Sequence, residues 1–184
     1  MTLGEPFAAI LAAARQGEEW AWAAIYRDLV GPVTGYLASR GAAEPDDLAS
    51  EAFLQVARGL PGFEGDEAAF RSWVFVIAHR RMQDARRTAT RRPLQTDADV
   101  ETELAHASAS GSVEDEVLGA IGDAKLAAAL DRLSDAHREV LALRVIGDLS
   151  VSDAARVMGK SAGAIKVLQH RALRALREAL DESA

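Results

Sequence analysis

The sequence predicts an all-α fold: two small helical domains joined by an acidic flexible linker, the C-terminal one carrying a helix-turn-helix. Three observations predict it. Alanine fills 38 of 184 positions, and alanine is the strongest intrinsic helix former. Apolar side chains recur at steps of three and four, with no stretch of strand-like alternation. Between Pro93 and Gly122 that periodicity stops: this stretch holds the run Ala107 to Ser112 and no aromatic residue. Such a stretch has little to bury and cannot offset the entropy of ordering. The expected boundaries are therefore 1–92, 93–123 and 124–184, with a short linker helix over Val113–Ile121 as the alternative.

Each helix has its own signature. The first carries Phe7, Ile10, Leu11 and Ala14 on one face. The second places Trp22, Ile25, Tyr26, Leu29, Val33, Tyr36 and Leu37 inward, with Pro32 as a kink, since a mid-helix proline loses a backbone donor, and Gly41 as its stop. The third opens at Pro45, a favoured first-turn residue, buries Leu48, Ala52, Phe53 and Val56, and stops at Gly59-Leu60-Pro61-Gly62. After a loop from Phe63 to Glu67, a fourth buries Phe70, Trp73, Val74, Ile77 and Ala78 and ends Arg-rich. In the second domain Leu126, Leu130 and Leu133 mark one helix. Ser134 caps the next, which buries Val140, Leu141 and Val145 and ends at Gly147. Ser150, with Asp153 three residues on, caps a short helix in a capping-box-like pattern. Gly159 breaks it, and Ser161 caps a last helix with Ile165, Leu168, Ala172 and Leu176 inward.

Several classes are excluded at once. The chain has no cysteine, so disulfide scaffolds, thiolate-held zinc and thiol nucleophiles are out. Its longest apolar run, Phe7 to Ala14, is far short of the ~20 residues a membrane span needs, and no basic segment precedes it as in a leader peptide. A soluble cytoplasmic protein, with no direct membrane insertion, is expected.

The formal net charge of −7 argues against nucleic acid until it is resolved along the chain. Residues 58–92 carry 8 basic and 4 acidic side chains, and residues 156–177 carry 6 basic and none acidic. The stretch 93–123 carries 8 acidic and no basic ones. Two basic segments are thus separated by an acidic one, and single-sign blocks of this kind form interaction surfaces or solvated tails.

Three motifs carry chemistry. Ala155, Gly159 and Ile165 have helix-turn-helix spacing: a small residue where two helices cross, a glycine at the turn, a branched residue packed beneath. The last helix then offers Ser161, Lys166, Gln169, His170, Arg171 and Arg174, in the place where a recognition helix reads base edges and phosphates. The bland alternative is a helical hairpin with a solvated basic face. Second, Arg80, Asp84, Arg87 and Arg91 form one stripe at the end of the fourth helix, widened by Arg81, Arg86 and Arg92; arginine forks pair with phosphate oxygens. Just upstream, Trp73 is divided between core and base stacking, and Phe75 is expected at the surface. Third, Asp47 and Glu51 share a helix face beside Asp46. Paired carboxylates can hold a metal or move protons, yet no histidine accompanies them, so a docking surface for a basic partner or a solvated face is favoured. No catalytic residue, metal or cofactor is expected.

These residues resemble a known family. Ile25-Tyr26-Arg27, the run Asp47 to Phe53, Phe70-Arg71-Ser72-Trp73-Val74 and Ile77-Ala78-His79-Arg80-Arg81 look like region 2 of a bacterial sigma-70 factor. Leu133-Ser134, Arg138-Glu139-Val140-Leu141, Ala154-Ala155, Gly159 and Ile165-Lys166 look like region 4. The lack of regions 1.1 and 3 matches the extracytoplasmic-function (ECF) group. The resemblance implies a transcription initiation factor, not an enzyme. Asp47, Leu48, Glu51 and Phe53 would dock on core RNA polymerase. Phe63, Asp66, Arg71, Trp73, Arg80, Arg81, Asp84 and Arg87 would read and open the −10 element, and the last helix would read the −35 element. The partners implied are core polymerase, promoter DNA and, as in many relatives, an anti-sigma factor. Ser50, Glu64 and Val167-Leu168-Gln169 depart from the family pattern, so no promoter sequence is carried over. Two other readings stand beside it: a stand-alone helix-turn-helix regulator, which leaves Phe63–Arg92 idle, and a helical enzyme using Asp47 and Glu51 with a divalent metal.

Overall fold

The structure, a computed structural model, describes residues 7–91 and 124–182; the acidic linker and the helix considered over Val113–Ile121 lie outside them. The described residues are helical throughout, in two clusters. The first holds α1 (Phe7–Arg15), α2 (Glu19–Ser39), α3 (Pro45–Gly59), a 3₁₀ turn (Leu60–Gly62) and α4 (Glu67–Arg91). The second holds α5 (residues 124–131), α6 (Asp135–Leu141), a π turn (Ala142–Ile146), α7 (Val151–Met158) and α8 (Ala162–Asp181).

α2 is the spine of the first cluster. Ala21, Ile25, Leu29, Val33, Tyr36 and Leu37 form its buried stripe, and the helix runs on through Pro32 to Ser39. Trp22 is half-buried; Tyr26, expected inward, is 44% exposed, and only the edge of its ring rests against Phe53, at 4.9 Å. α3 packs on α2 and on α4, which places Ala49, Ala52, Phe53 and Val56 inside. The loop between α3 and α4 is tied down from α1: the Arg15 guanidinium donates to the carbonyls of Leu60 and Phe63.

In the second cluster the serine caps form as expected. Ser134, Ser150 and Ser161 accept from the backbone N–H groups of His137, Asp153 and Ala164. Each such cap is worth about 1 kcal/mol. Two core assignments fail. Leu126 is exposed on α5, where Ala129 is the buried residue. Val145 is 73% exposed while Leu143 is fully buried. The π turn explains the second: its wider winding, closed by Gly147 N–H to the Ala142 carbonyl, shifts the phase that a 3.6-residue period predicts.

The two clusters pack on each other. α4 lies against α7, and α2 against the π turn. One buried apolar core runs from Phe7 through Phe75 to Ala172.

Candidate nucleic-acid interface

Two stripes of α4 face different ways. The outward stripe carries Trp73, Val76 and Arg80; with the buried Ile77 beneath and with Gln55, Arg58 and Gly59 of α3 these line an open groove of about 460 Å³. Trp73 forms its aromatic wall. The ring is half-buried and stacks on Phe63 at 5.1 Å, 27° from parallel. Gly59 permits this position, because a β-carbon there would lie 2.7 Å from the Trp73 ring. Arg80 is exposed, Arg81 reaches Gln55 at 3.2 Å and Glu51 at 3.6 Å, and Arg87 pairs loosely with Asp84 at 3.7 Å. Cationic forks around a stacked ring are the ingredients of single-strand binding.

The inward stripe of α4 meets the second cluster. Arg71 is buried, pairing with Asp28 at 3.2 Å and donating toward the Gly147 carbonyl. Burial pushes the Asp28 carboxyl up by more than Arg71 pulls it down. Ser72 accepts from Arg156 of α7 at 3.0 Å. Phe75 is fully buried, packed edge-on against Tyr36 and close enough to Gly147 that a β-carbon there would touch its ring. The surface position expected for Phe75 is therefore wrong: its phase on α4 points it at the other cluster, which a single helix's pattern does not reveal.

Charged residues concentrate in the same seam. His79 Nδ1 lies 2.8 Å from Glu139 Oε1 and 2.9 Å from the Tyr36 hydroxyl. Arg40 pairs with Glu139 at 3.5 Å and donates to the Asp135 carbonyl at 2.6 Å, while Arg86 pairs with Asp135 at 2.9 Å. Burial pushes the Glu139 carboxyl up, but the hydrogen bond from His79 and the charges of Arg40 and Arg86 outweigh it and hold it below the ordinary glutamate range. Asp135 is likewise held low: hydrogen bonds from Arg86 and Arg138 outweigh a burial effect that raises it. Burial and the neighbouring Glu139 charge push the Tyr36 phenol up.

Other candidate residues are placed as follows. Phe53 is 7% exposed and Phe63 is buried. Both pack within the first cluster, and Arg71 is buried as well. Asp66 accepts from the Ala69 N–H at 2.8 Å and so caps α4. Asp47 and Glu51 are exposed on α3, Leu48 half-buried. The sequence reading missed two residues of that same face. Leu54, 59% exposed, and Arg58 follow Asp47 and Glu51 at steps of four, three and four, a phase that could have been counted. No group of side chains able to hold a metal occurs among the described residues, and Glu51 instead faces Arg81.

α7 and α8 meet at Gly159, whose left-handed φ of +62° ends α7. Ala155 and Ile165 are buried between the helices. Along α8, Lys166, His170, Arg171 and Arg174 are exposed, with Arg174 paired to Glu178 at 2.7 Å. Gln169 is half-buried and accepts from Arg144 at 3.2 Å. Val167, 52% exposed, stands among the cations. No helix among the described residues is long and apolar enough to cross a membrane.

Comparison with known proteins places both clusters. The family profile described as sigma-70 region 2 matches residues 22–92, and that of sigma-70 region 4 matches residues 129–178. The chain is 35% identical over 173 residues to the ECF RNA polymerase sigma factor BldN of Streptomyces coelicolor, covering 93% of this chain and 64% of that protein. It is 30% identical over 181 residues to the ECF sigma factor SigD of Mycobacterium bovis, covering 95% and 84%. Among solved structures it shares its fold with CnrH, determined in complex with the cytosolic domain of CnrY, at TM-score 0.64 and 22% identity over 96% of this chain and 97% of that one. It also matches RpoE of Bartonella quintana, in complex with the anti-sigma factor NepR, at TM-score 0.67 and 22% identity over 85% and 94%.

Proposed function

The chain belongs to the extracytoplasmic-function group of sigma-70 RNA polymerase sigma factors, and from that premise we propose that it binds core polymerase and directs it to promoters, reading −10 and −35 elements and assisting strand opening. The observation that carries this reading is the pairing, in one chain and in order, of a region 2 and a region 4 match, each bearing an exposed basic surface.

Asp47, Glu51 and Leu54 form the docking face for polymerase, with Tyr26 and Phe53 as its support. The groove between Trp73, Arg58 and Arg80 follows the unpaired strand near the −10 element. Holding bases out of the stack there offsets an unpairing cost of a few kcal/mol. α7, Gly159 and α8 act as a helix-turn-helix. Lys166, His170 and Arg171 lie along the −35 duplex, and Val167 offers the kind of apolar contact that a thymine methyl accepts. The protein performs no catalysis itself, acts in the cytoplasm, and takes an anti-sigma factor as its regulatory partner, the class seen bound to RpoE of Bartonella quintana.

Mapping of transcription start sites after overexpression tests the reading. A set of new starts sharing two upstream elements is expected. A profile with no new starts contradicts it.

A further inference from the structure

The helix α1 lies outside the stretch that the region 2 profile matches, which begins at residue 22. Both of its ends nevertheless serve the loop between α3 and α4. Phe7, at its start, packs on Phe70 of α4 with ring centroids 5.6 Å apart. Arg15, its last residue, donates from Nε to the Leu60 carbonyl at 3.3 Å and from Nη2 to the Phe63 carbonyl.

That loop is poorly equipped to hold itself. Pro61 has no N–H to donate, and Gly62 and Gly65 bring extra backbone freedom. The Phe63 N–H closes the 3₁₀ turn on the Leu60 carbonyl at 3.2 Å, so the Leu60 oxygen serves both this turn and Arg15. Nε and Nη2 are donors of one planar guanidinium, held at a fixed spacing. A single side chain thus ties both ends of the turn, Leu60 and Phe63, to the end of α1.

What the tie holds in place is Phe63. Its buried ring stacks on Trp73 and meets Phe70 edge-on, each at 5.1 Å. A β-carbon on Gly65 would lie 3.0 Å from it. Trp73 is in turn confined between Phe63 and Gly59, where a β-carbon would lie 2.7 Å from its ring. Arg15 does not itself line the groove, but Trp73 is the groove's wall. A turn that slips therefore carries the wall with it.

We propose that Arg15 is a positioning residue for recognition of the unpaired −10 strand: its guanidinium fixes the Leu60–Phe63 turn, Phe63 fixes Trp73, and Trp73 receives the base. This inference rests on the single-strand role proposed for the groove beside Trp73.

Arg15→Lys and Arg15→Ala in the full-length chain test it. Lysine keeps the charge, but a point charge cannot bridge two carbonyls at a fixed spacing. Holoenzyme made with either variant should bind a single-stranded oligonucleotide carrying a mapped −10 sequence about five- to ten-fold more weakly than wild type, the worth of about one hydrogen bond. The salt slope of that binding and the affinity for core polymerase should not change. A direct phosphate contact would behave differently: lysine would restore binding, and alanine would lower the slope by roughly 0.7. That outcome overturns the positioning role, as does wild-type affinity in both variants. Fluorine NMR of the chain labelled with 5-fluorotryptophan reads Trp73 without nucleic acid. Of the three tryptophan signals, that of Trp73 is the one missing from Trp73→Phe. It should move in Arg15→Lys, and a signal that stays at its wild-type position refutes the tie. Should wild-type holoenzyme fail to bind the single strand, the role assigned to the groove falls, and the fluorine spectrum still decides whether Arg15 sets the place of Trp73.

Discussion

Phe53 and Leu54 are neighbours in sequence with opposite expected effects, and replacing each by alanine separates core from docking surface. Phe53 is 7% exposed and meets Tyr26 edge-on at 4.9 Å. Its truncation leaves a cavity between α2 and α3 and should cost about 3–5 kcal/mol. Against a total stability of about 5–15 kcal/mol, that moves a urea midpoint by roughly 2 M at a slope of ~2 kcal/mol/M. Leu54 has 59% of its surface in water, so its truncation should change stability by less than about 0.5 kcal/mol. On binding, a partner covers that remaining surface. Full burial of a leucine is worth about 1.5–3 kcal/mol, and the uncovered share scales this to about 1–2 kcal/mol, a 5- to 20-fold rise in Kd at ~1.4 kcal/mol per decade. Urea denaturation and fluorescence-anisotropy titration with core polymerase measure the two quantities. A destabilised Leu54→Ala protein, or one that binds polymerase with unaltered affinity, refutes the assignment of the α3 face.

Three further outcomes follow from the geometry. Gly159→Ala should destabilise the protein by about 1–2 kcal/mol through its left-handed φ alone, because no atom lies near the added methyl group; a loss below measurement in urea denaturation would contradict this. Arg171→Ala should lower the salt slope of holoenzyme–promoter binding by roughly 0.9, and Arg174→Ala should lower it less, since Glu178 already neutralises that side chain; equal effects would mean that Glu178 gives way on DNA. Glu139 and Asp135 are both held below their ordinary values of 4.5 and 3.8, so their contribution to stability is complete above about pH 5 and is lost as pH falls through the native values. Asp28, pushed up, acts in the opposite sense. Urea midpoints should therefore fall on acidification below about pH 4.5, and Glu139→Gln should flatten part of that decline; an identical slope in the variant would remove Glu139 from the cause.

Local features were legible in the sequence because local rules govern them. The caps at Ser134, Ser150 and Ser161, the proline start of α3 and the turn at Gly159 each depend on a few adjacent residues, and each forms where expected. The stripes of α2 and α3 followed from helical phase. The same phase carries Leu54 and Arg58 onto the exposed face of α3. Other features were beyond any local rule. The π turn at Ala142–Ile146 broke the period and turned Val145 outward. Phe75 and Arg71 occupy positions on α4 that read as surface until a second cluster is packed on them. The joining of Arg40, His79 and Glu139, about 40 to 100 positions apart in the chain, depends on tertiary structure alone.

Run-off transcription with purified core polymerase tests the central claim most directly. On a template carrying one of the mapped promoters, the chain plus core enzyme should give a single discrete transcript that neither gives alone, and changing either the −10 or the −35 element should abolish it. Initiation that is independent of the chain, or tight specific duplex binding by the chain with no transcript, would contradict the account and favour a regulator that works without polymerase.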